Sequence, residues 1–287
     1  MIAGIGHNDI TPLTSWTGIN LKIKPLKNPR HLYTKCPLCD SPDFTPTVTA
    51  DCRAHPLYNP ALPGAINWQE CNTCGHGFTD GYFTQAALDI LFATANDYQI
   101  PSLDIQERFR NVSAKMIERV SSVLPEQKGK WLDVGFGNGV LLTTCEEFGF
   151  EPAGVDLRQL AVDRMKDFGY EAYCKEFTEL SQFDTYTVIS MADVLEHMPY
   201  PKEALAHAHK LLKTNGLLFL SFPNADSFLW KVLTQGNANP YWMEIEHYHN
   251  FGRKRIYALL EEEGFKAISY NVSERYRIGM EVIARKI

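Results

Sequence analysis

The sequence predicts an α/β fold, a doubly wound and mostly parallel sheet preceded by a small metal-binding appendage. Three observations carry this expectation. Four cysteines form two CxxC units near the N-terminus, a glycine-rich turn separates a strand-like run from a helix-like run, and strand and helix patterns then alternate along the chain. The 287 residues are 45% apolar and 22% charged, which excludes a disordered or collagen-like chain and allows a sizeable core. The length fits one large domain or a medium domain with an appendage. The longest apolar stretch, Gly216 to Phe222, is strand-sized, well short of the roughly 18 to 20 residues of a membrane span. The start, MIAGIGHNDITPL, shows no basic segment followed by an apolar one. The expected localisation is therefore cytoplasmic, with no membrane partner.

The formal charge of −6 weakens any reading that needs a large basic surface for nucleic acid. Its one basic cluster, Lys22, Lys24, Lys27, Arg30 and Lys35, runs from an N-terminal arm over residues 1–30 just into the segment that follows and reads as a solvated tail. Residues 31–80 follow as a ribbon. Here Cys36-Pro-Leu-Cys39 and Cys71-Asn-Thr-Cys74 present two pairs of thiolates, and two such turns complete the tetrahedral sulfur shell that zinc prefers in closed structural sites. Gly75 permits the positive backbone angle of a tight knuckle. Asn59-Pro60 and Pro63-Gly64 mark a loop, and Ile66 to Glu70 reads as a strand leading into the second knuckle. Disulfides are disfavoured in a reducing compartment. Cys52 and His55 are expected in structural roles, and Cys145 and Cys174 in the core. Four thiolates leave no open coordination position, so this Zn2+ is expected to be structural.

Residues 81–126 join the ribbon to a sheet domain over 127–287. Ile105, Phe109, Val112, Met116, Val120 and Val123 recur at helical spacing and give a helix with one apolar face to dock on the sheet. Trp131 to Val134 reads as the first strand and Val140 to Phe148 as a helix stopped by Gly149. Between them, Asp133-Val-Gly135-Phe-Gly137-Asn-Gly139 brings backbone close to a ligand and aims helix N–H groups at it. Dinucleotide sites require G-x-G-x-x-G, whose last glycine would fall on Val140. Pro152 to Asp156 is a second strand ending in an acid that can accept from two ribose hydroxyls. Leu157 to Gly169 reads as a helix, Glu171 to Cys174 as the third strand and Asp184 to Ser190 as the fourth. Pro201 to Lys213 is a helix with proline in its first turn and Asn215-Gly216 as its stop. Leu217 to Phe222 is the fifth strand, Tyr257 to Gly264 a helix, and strands near Ala267 to Val272 and Met280 to Ala284 make seven in all. Ligands of such a sheet bind at the carboxyl ends of its strands.

The Asp-x-Gly-x-Gly-x-Gly turn resembles motif I of the class I S-adenosylmethionine-dependent methyltransferases, and the likeness extends over residues 99–287. It implies a seven-stranded Rossmann-like methyltransferase sheet binding S-adenosyl-L-methionine. On the matching positions, Asp133, Gly135 and Gly137 would surround the methionine moiety, Asp156 would bind the ribose and Leu157 would flank the adenine. Glu176 and Phe177 would touch the adenine, and Met191 to Asp193 would lie along the cofactor. Phe136 departs from the small residue or cysteine common at its position. A zinc-ribbon head before such a domain is similar to the bacterial sugar methyltransferases, and the catalytic half looks like the quinone-type O-methyltransferases.

Methyl transfer from a sulfonium is an in-line displacement, so the enzyme aligns the acceptor and removes its proton. Histidine is the natural base near neutral pH. Two segments offer one: Glu196-His197, after the fourth strand, and Glu246-His247 with His249, in the excursion between Pro223 and Phe251. In the second, Glu246 would orient His247. Trp230, Tyr241, Trp242 and Tyr248 of that excursion can wall an acceptor pocket. Tyr98 can close over the cofactor or pack. His207 and His209 are expected at the surface or in packing, and no Asp, Glu and His set points to a catalytic divalent ion. The leading expectation is methylation of a hydroxyl or carbon of a small molecule, a sugar or related metabolite. An RNA methyltransferase whose ribbon binds RNA and a non-enzymatic module that retains the fold are the alternatives.

Overall fold

A computed structural model describes residues 24–93, 99–276 and 278–287. Tyr98, Lys22 and most of the 1–30 arm lie outside the described residues. The N-terminal part is built from strands β1 (Arg30–Leu32), β2 (Phe44–Asp51), β3 (Ala65–Cys71), β4 (Gly77–Thr79) and β5 (Gly81–Phe83). β2, β3 and β4 form an antiparallel sheet, and β1 pairs with β5. The strand read over Ile66 to Glu70 runs one residue further at each end, because both flanking residues find partners on β2. The second knuckle is thus the tight turn from β3 into β4, with Gly75 at φ +69°.

Helix α1 (Gln85–Ala93) leads to α2 (Leu103–Ser121), whose Met116, Ile117 and Val120 are buried against the sheet. The sheet comprises β6 (Gly129–Val134), β7 (Phe150–Asp156), β8 (Glu171–Cys174), β9 (Tyr186–Ala192), β10 (Leu212–Pro223), β12 (Phe265–Val272) and β13 (Gly279–Lys286). Its spatial order is β12-β13-β10-β9-β6-β7-β8. β13 runs antiparallel to both neighbours, and the pairs from β8 to β10 are all parallel. Between strands lie α3 (Val140–Glu147), α4 (Gln159–Asp167), α5 (Pro201–Leu211), α6 (Phe228–Gln235) and α7 (Arg253–Glu262).

Strand alternation sorts the core into two layers. Trp131, Val188, Phe219 and Ile283 face α2 and α3, whereas Leu132, Ile189, Leu218 and Val282 face α5 and α7. The chain leaves β6 for β7 on one side and returns on the other as β9. This reversal of strand order opens a crevice at the carboxyl ends of β6 and β9.

Several expected boundaries shift for local reasons. β9 begins at Tyr186 rather than Asp184, which sits at φ +49°, and continues past Ser190 to Ala192 because Met191 and Ala192 still pair with β10. α5 stops at Leu211 rather than Lys213, since Leu212 already pairs with Tyr186 and the register of β10 then slips before Leu217. Cys145 is fully buried as expected, but Cys174, at the end of the edge strand β8, is only half-buried.

A short strand, β11 (His249–Asn250), comes from the excursion after β10 and pairs antiparallel with β4. The N-terminal sheet therefore takes its fourth strand from the C-terminal half of the chain.

Arg119 of α2 forms ion pairs with Glu274 and with the fully buried Glu281 of β13. Replacing Arg119 by Met strands the Glu281 carboxylate in the core, and we expect a loss of about 3 kcal/mol. Urea unfolding should show a lower midpoint at unchanged m-value. An unchanged midpoint would show that the pair contributes nothing to stability.

Candidate active site

β6 ends in Asp133-Val134, and the chain turns through Gly135, Gly137 and Gly139 at φ +60°, +57° and +72° before α3 begins. These are left-handed conformations that only glycine adopts without strain. At Gly135 a Cβ would also lie 2.7 Å from Val194 Cγ2, and at Gly139 one would lie 2.5 Å from Met165 Sδ. Glycine at these two positions thus lets the turn pack closely against Val194 and Met165, and the turn forms a cradle. Phe136 has its ring buried against Gly154 and Leu142, and a Cβ at Gly154 would stand 2.5 Å from that ring. The bulky residue in the turn is accommodated by a missing side chain on the neighbouring strand.

The cradle opens into a cavity of about 890 Å³. Asp133, Gly135, Gly137, Asp156, Leu157, Glu176, Phe177 and Asp193 all line it. Asp133, at the cavity floor, accepts from Ser190 Oγ at 2.6 Å, and burial pushes its carboxyl up to about 7 against that hydrogen bond. Asp156 accepts from Gly137 N at 3.0 Å and from the Arg158 guanidinium, whose Nη2 lies 2.9 Å away. Arg158 Nη1 in turn donates to the Gln99 carbonyl at 3.1 Å. Asp193 holds φ +59°, a strained angle for a residue with a side chain. Its carboxylate pairs with Arg275 at 2.9 Å. Glu176 is exposed where it lines the cavity, and the partial desolvation it meets there, then the nearby Glu179, raises its carboxyl. Met191 does not reach the cavity. It lies on the opposite face of β9, fully buried among Val134, Ile189 and Leu220, and Ala192 lines the cavity in its place. A period of two along the strand puts Ala192 and Met191 on opposite faces.

Glu196 and His197 sit on a 3-10 turn, Leu195–His197, just beyond β9. His197 Nδ1 donates to the Glu246 carbonyl at 3.0 Å, and its ring meets His247 edge-on with centroids 4.7 Å apart. A carbonyl can only accept, so the neutral His197 ring carries its proton on Nδ1 and leaves Nε2 as an acceptor. Glu246 thus engages His197 through its backbone, while its side chain lines the cavity. His247 is buried and its Nδ1 has no partner; burial, then the neighbouring His197, holds its pKa well below 6.5. Glu196 is buried with both carboxylate oxygens unpartnered, and burial followed by the nearby Asp193 charge raises its pKa well above 4.5. Ligand atoms of Glu196, His197 and His247 lie within 4.8 Å of one another, a set able to hold a divalent cation that the sequence pattern does not reveal.

The excursion supplies one wall of the cavity and the ribbon another. Tyr241, Glu244 and Tyr248 face it from the first, and His55 and Leu57 from the second. His55 Nε2 lies 2.9 Å from Glu244 Oε2, and Trp68 donates its indole N–H to the Trp242 carbonyl at 2.9 Å. Trp230 and Trp242 pack against each other behind this wall. His249 donates to the Met198 carbonyl at 2.9 Å and touches His76. His207 lies against the Leu180 carbonyl, and His209 packs edge-on to Phe265.

The four knuckle sulfurs also converge. Cys36 Sγ lies 3.7 Å from Cys74 Sγ and Cys39 Sγ 3.5 Å from Cys71 Sγ. A tetrahedral ion with Zn–S bonds of roughly 2.3 Å requires sulfurs about 3.8 Å apart, so the set fits zinc closely. Arg158 and Arg275 are polar cavity residues that the sequence reading did not single out. The only available signal was their place just after a strand end or a predicted site residue.

Residues 106–270 match a family model described as a methyltransferase domain, which is more than half of the chain. The ubiquinone biosynthesis O-methyltransferase of Nitrosococcus oceani is 27% identical over 169 residues, covering 53% of this chain and 72% of that one. The enzyme of the same description from Vibrio cholerae is 26% identical over 201 residues, covering 62% and 82%. Among solved structures, the 1,6-didemethyltoxoflavin-N1-methyltransferase of Burkholderia thailandensis, with bound substrate and S-adenosylhomocysteine, superposes with a TM-score of 0.54. It is 18% identical and covers 75% of this chain and 97% of that one. The magnesium protoporphyrin IX methyltransferase of Synechocystis gives 0.51 at 18% identity, covering 72% and 97%. At these identities the structures show a shared fold. No helix among the described residues is long and apolar enough to cross a membrane.

Because His247 is kept neutral by the fold, the unfolded chain takes up a proton below pH 6.5 that the folded chain refuses. Stability from this residue is therefore unaffected above pH 6.5 and falls as the pH drops below it, by about 1.4 kcal/mol per pH unit. Raised carboxyls such as Glu196 act in the opposite sense, so urea titrations of wild type and His247→Asn at pH 7.5 and 5.5 isolate the effect. The variant should lose less stability on acidification, and equal losses would show that His247 is solvated.

Proposed function

Because this chain belongs to the methyltransferase domain family, we propose that it transfers the methyl group of S-adenosylmethionine to a hydroxyl oxygen of a small molecule. The observation that carries this reading is the glycine cradle facing Asp156 at one end of a cavity whose other end holds His197 and His247. The cradle fits the cofactor because Gly135 and Gly137 line the cavity without side chains and because the neighbouring acids are of the required kind. Asp133, Gly135 and Gly137 would hold the methionine moiety and Asp156 the ribose, with Arg158 sharing or yielding the carboxylate. Leu157, Glu176 and Phe177 would flank the adenine, and Asp193 would lie along the cofactor. Met191 supports the strand from its far face. When bound, the cofactor supplies an electrophilic methyl group on a sulfonium.

The residues of the chain then have two tasks. His197 accepts the acceptor's hydroxyl proton at Nε2, because its hydrogen bond to the Glu246 carbonyl fixes the tautomer. His247, which the fold keeps neutral, holds and aligns the acceptor beside it. The backbone of Glu246 orients His197. Methylation at oxygen is favoured over carbon by the likeness to the ubiquinone O-methyltransferases. Glu244 and Glu246 are among the acids that outnumber basic residues in the cavity lining, which disfavours RNA and other phosphate-rich acceptors. The four knuckle thiolates would hold a structural zinc ion.

Calorimetric titration of S-adenosylmethionine tests the cofactor. Wild type should bind it, and Asp156→Ala or Gly135→Ala should lose roughly 100-fold or more in affinity, the scale on which a ligand with several lost hydrogen bonds weakens. Binding that survives both substitutions would remove the cradle from the cofactor site. Transfer of labelled methyl groups to ortho-diphenol and sugar acceptors then tests the chemistry. His197→Asn should lower kcat by a factor of about 10² to 10⁴, the range for a general base, while His247→Asn should raise the acceptor KM more than it lowers kcat. Full kcat in His197→Asn would exclude that ring as the base.

A further inference from the structure

His249 lies at the meeting of three segments that are distant in sequence. Its own strand, β11, pairs with β4 of the ribbon, His249 opposite Phe78 and Asn250 opposite Gly77. Its Nε2 lies 2.9 Å from the carbonyl of Met198, the residue directly after His197. Its Nδ1 lies 3.0 Å from Nε2 of His76, two residues beyond Cys74, and the two rings stack with centroids 5.2 Å apart. The proton assignment follows from the partners. The Met198 carbonyl can only accept, so His249 carries its proton on Nε2, and its bare Nδ1 accepts from His76 Nε2–H. Each ring is fully buried, so the bridge is a directed chain from the knuckle to the turn that carries the reaction-site histidine.

The main chain runs in parallel with this bridge. Thr79 N donates to the Tyr248 carbonyl at 2.9 Å, and Tyr248 N donates to the Glu196 carbonyl at 2.8 Å. Tyr248 is the residue between His247 and His249, so ribbon, excursion and post-β9 turn are tied at consecutive residues. His197 is itself bonded to the Glu246 carbonyl. The rings of His197 and His247 are therefore placed relative to one another through a lattice whose outer anchor is the ribbon.

We propose that His76 and His249 are positioning residues that set His197 and His247 from the ribbon, so that the metal-binding head is part of the reaction-site scaffold. The meaning for catalysis rests on the methyl-transfer reading, whereas the positioning itself does not. Peptide-resolved carbethoxylation by diethyl pyrocarbonate reports the exposure of His197 and His247 without any acceptor. In His249→Phe an aromatic ring is kept and both hydrogen bonds are lost. Carbethoxylation of His197 and His247 should then rise roughly tenfold to a hundredfold, the scale of two buried hydrogen bonds released by local opening. His249→Gln can accept from His76 and donate to Met198, so it should react at nearly the wild-type rate. His76→Phe, which keeps the bond to Met198, should give a smaller rise and serves alone where His249→Phe does not fold.

Zinc content and S-adenosylmethionine affinity, measured on the same samples, should stay at their wild-type values. Wild-type carbethoxylation rates in the phenylalanine variants would overturn the proposal. So would a rise accompanied by loss of both zinc and cofactor binding, because that is general loosening, or a rise of equal size in His249→Gln. Failure of wild type to bind S-adenosylmethionine would sink the methyl-transfer reading and leave the carbethoxylation comparison intact.

Discussion

The pairing of β11 with β4 is the constraint on which much of the molecule depends. Two residues of backbone, His249 and Asn250, complete the ribbon sheet with chain that belongs to the catalytic half. A ribbon joined only by a linker could move as a separate module. Here the connection is made by main-chain hydrogen bonds, a buried pair of histidines and aromatic packing of Tyr33 and Phe78 in one core with sheet residues. The excursion between β10 and α7 is consequently fixed at both ends. It can serve as a rigid wall for the cavity rather than as a loose loop.

The sheet contributes a different kind of order. Reversal of strand order around β6 leaves a crevice without any further device, and the three glycines keep it open to a ligand. Around that crevice, charges are held in pairs, Asp156 with Arg158 and Asp193 with Arg275. Glu196 is different, since it is buried with no hydrogen-bond partner for its carboxylate among the described residues. A buried polar group of this kind is expensive to leave unsatisfied.

Two halves of the cavity thus come from two sources of rigidity. Residues on the glycine-turn side stand at strand ends and on the turn itself, where backbone geometry alone places them. Residues on the histidine side stand on a 3-10 turn and an excursion, where placement depends on contacts to the ribbon. His55 from the ribbon and Glu244 from the excursion meet at 2.9 Å across this boundary.

What the sequence determined by itself was the part governed by local rules. Glycine spacing in Asp133 to Gly139 and the acid ending β7 are legible because a positive φ admits few residues and a strand end has a known direction. The paired CxxC units are legible because a tetrahedral sulfur shell needs four thiolates. The seven strands follow from the alternation of patterns, with boundaries that moved where pairing partners decided them, as at Leu212 and Ala192. Only the tertiary structure could decide the rest. Met191 and Ala192 are adjacent in sequence, yet β9's facing alone sends one to the core and the other to the cavity. Glu196, His197 and His247 meet because a strand from residue 249 joins a sheet begun at residue 44. Contacts between segments so far apart leave no local periodicity, and packing free energy, which depends on the whole fold, selects them.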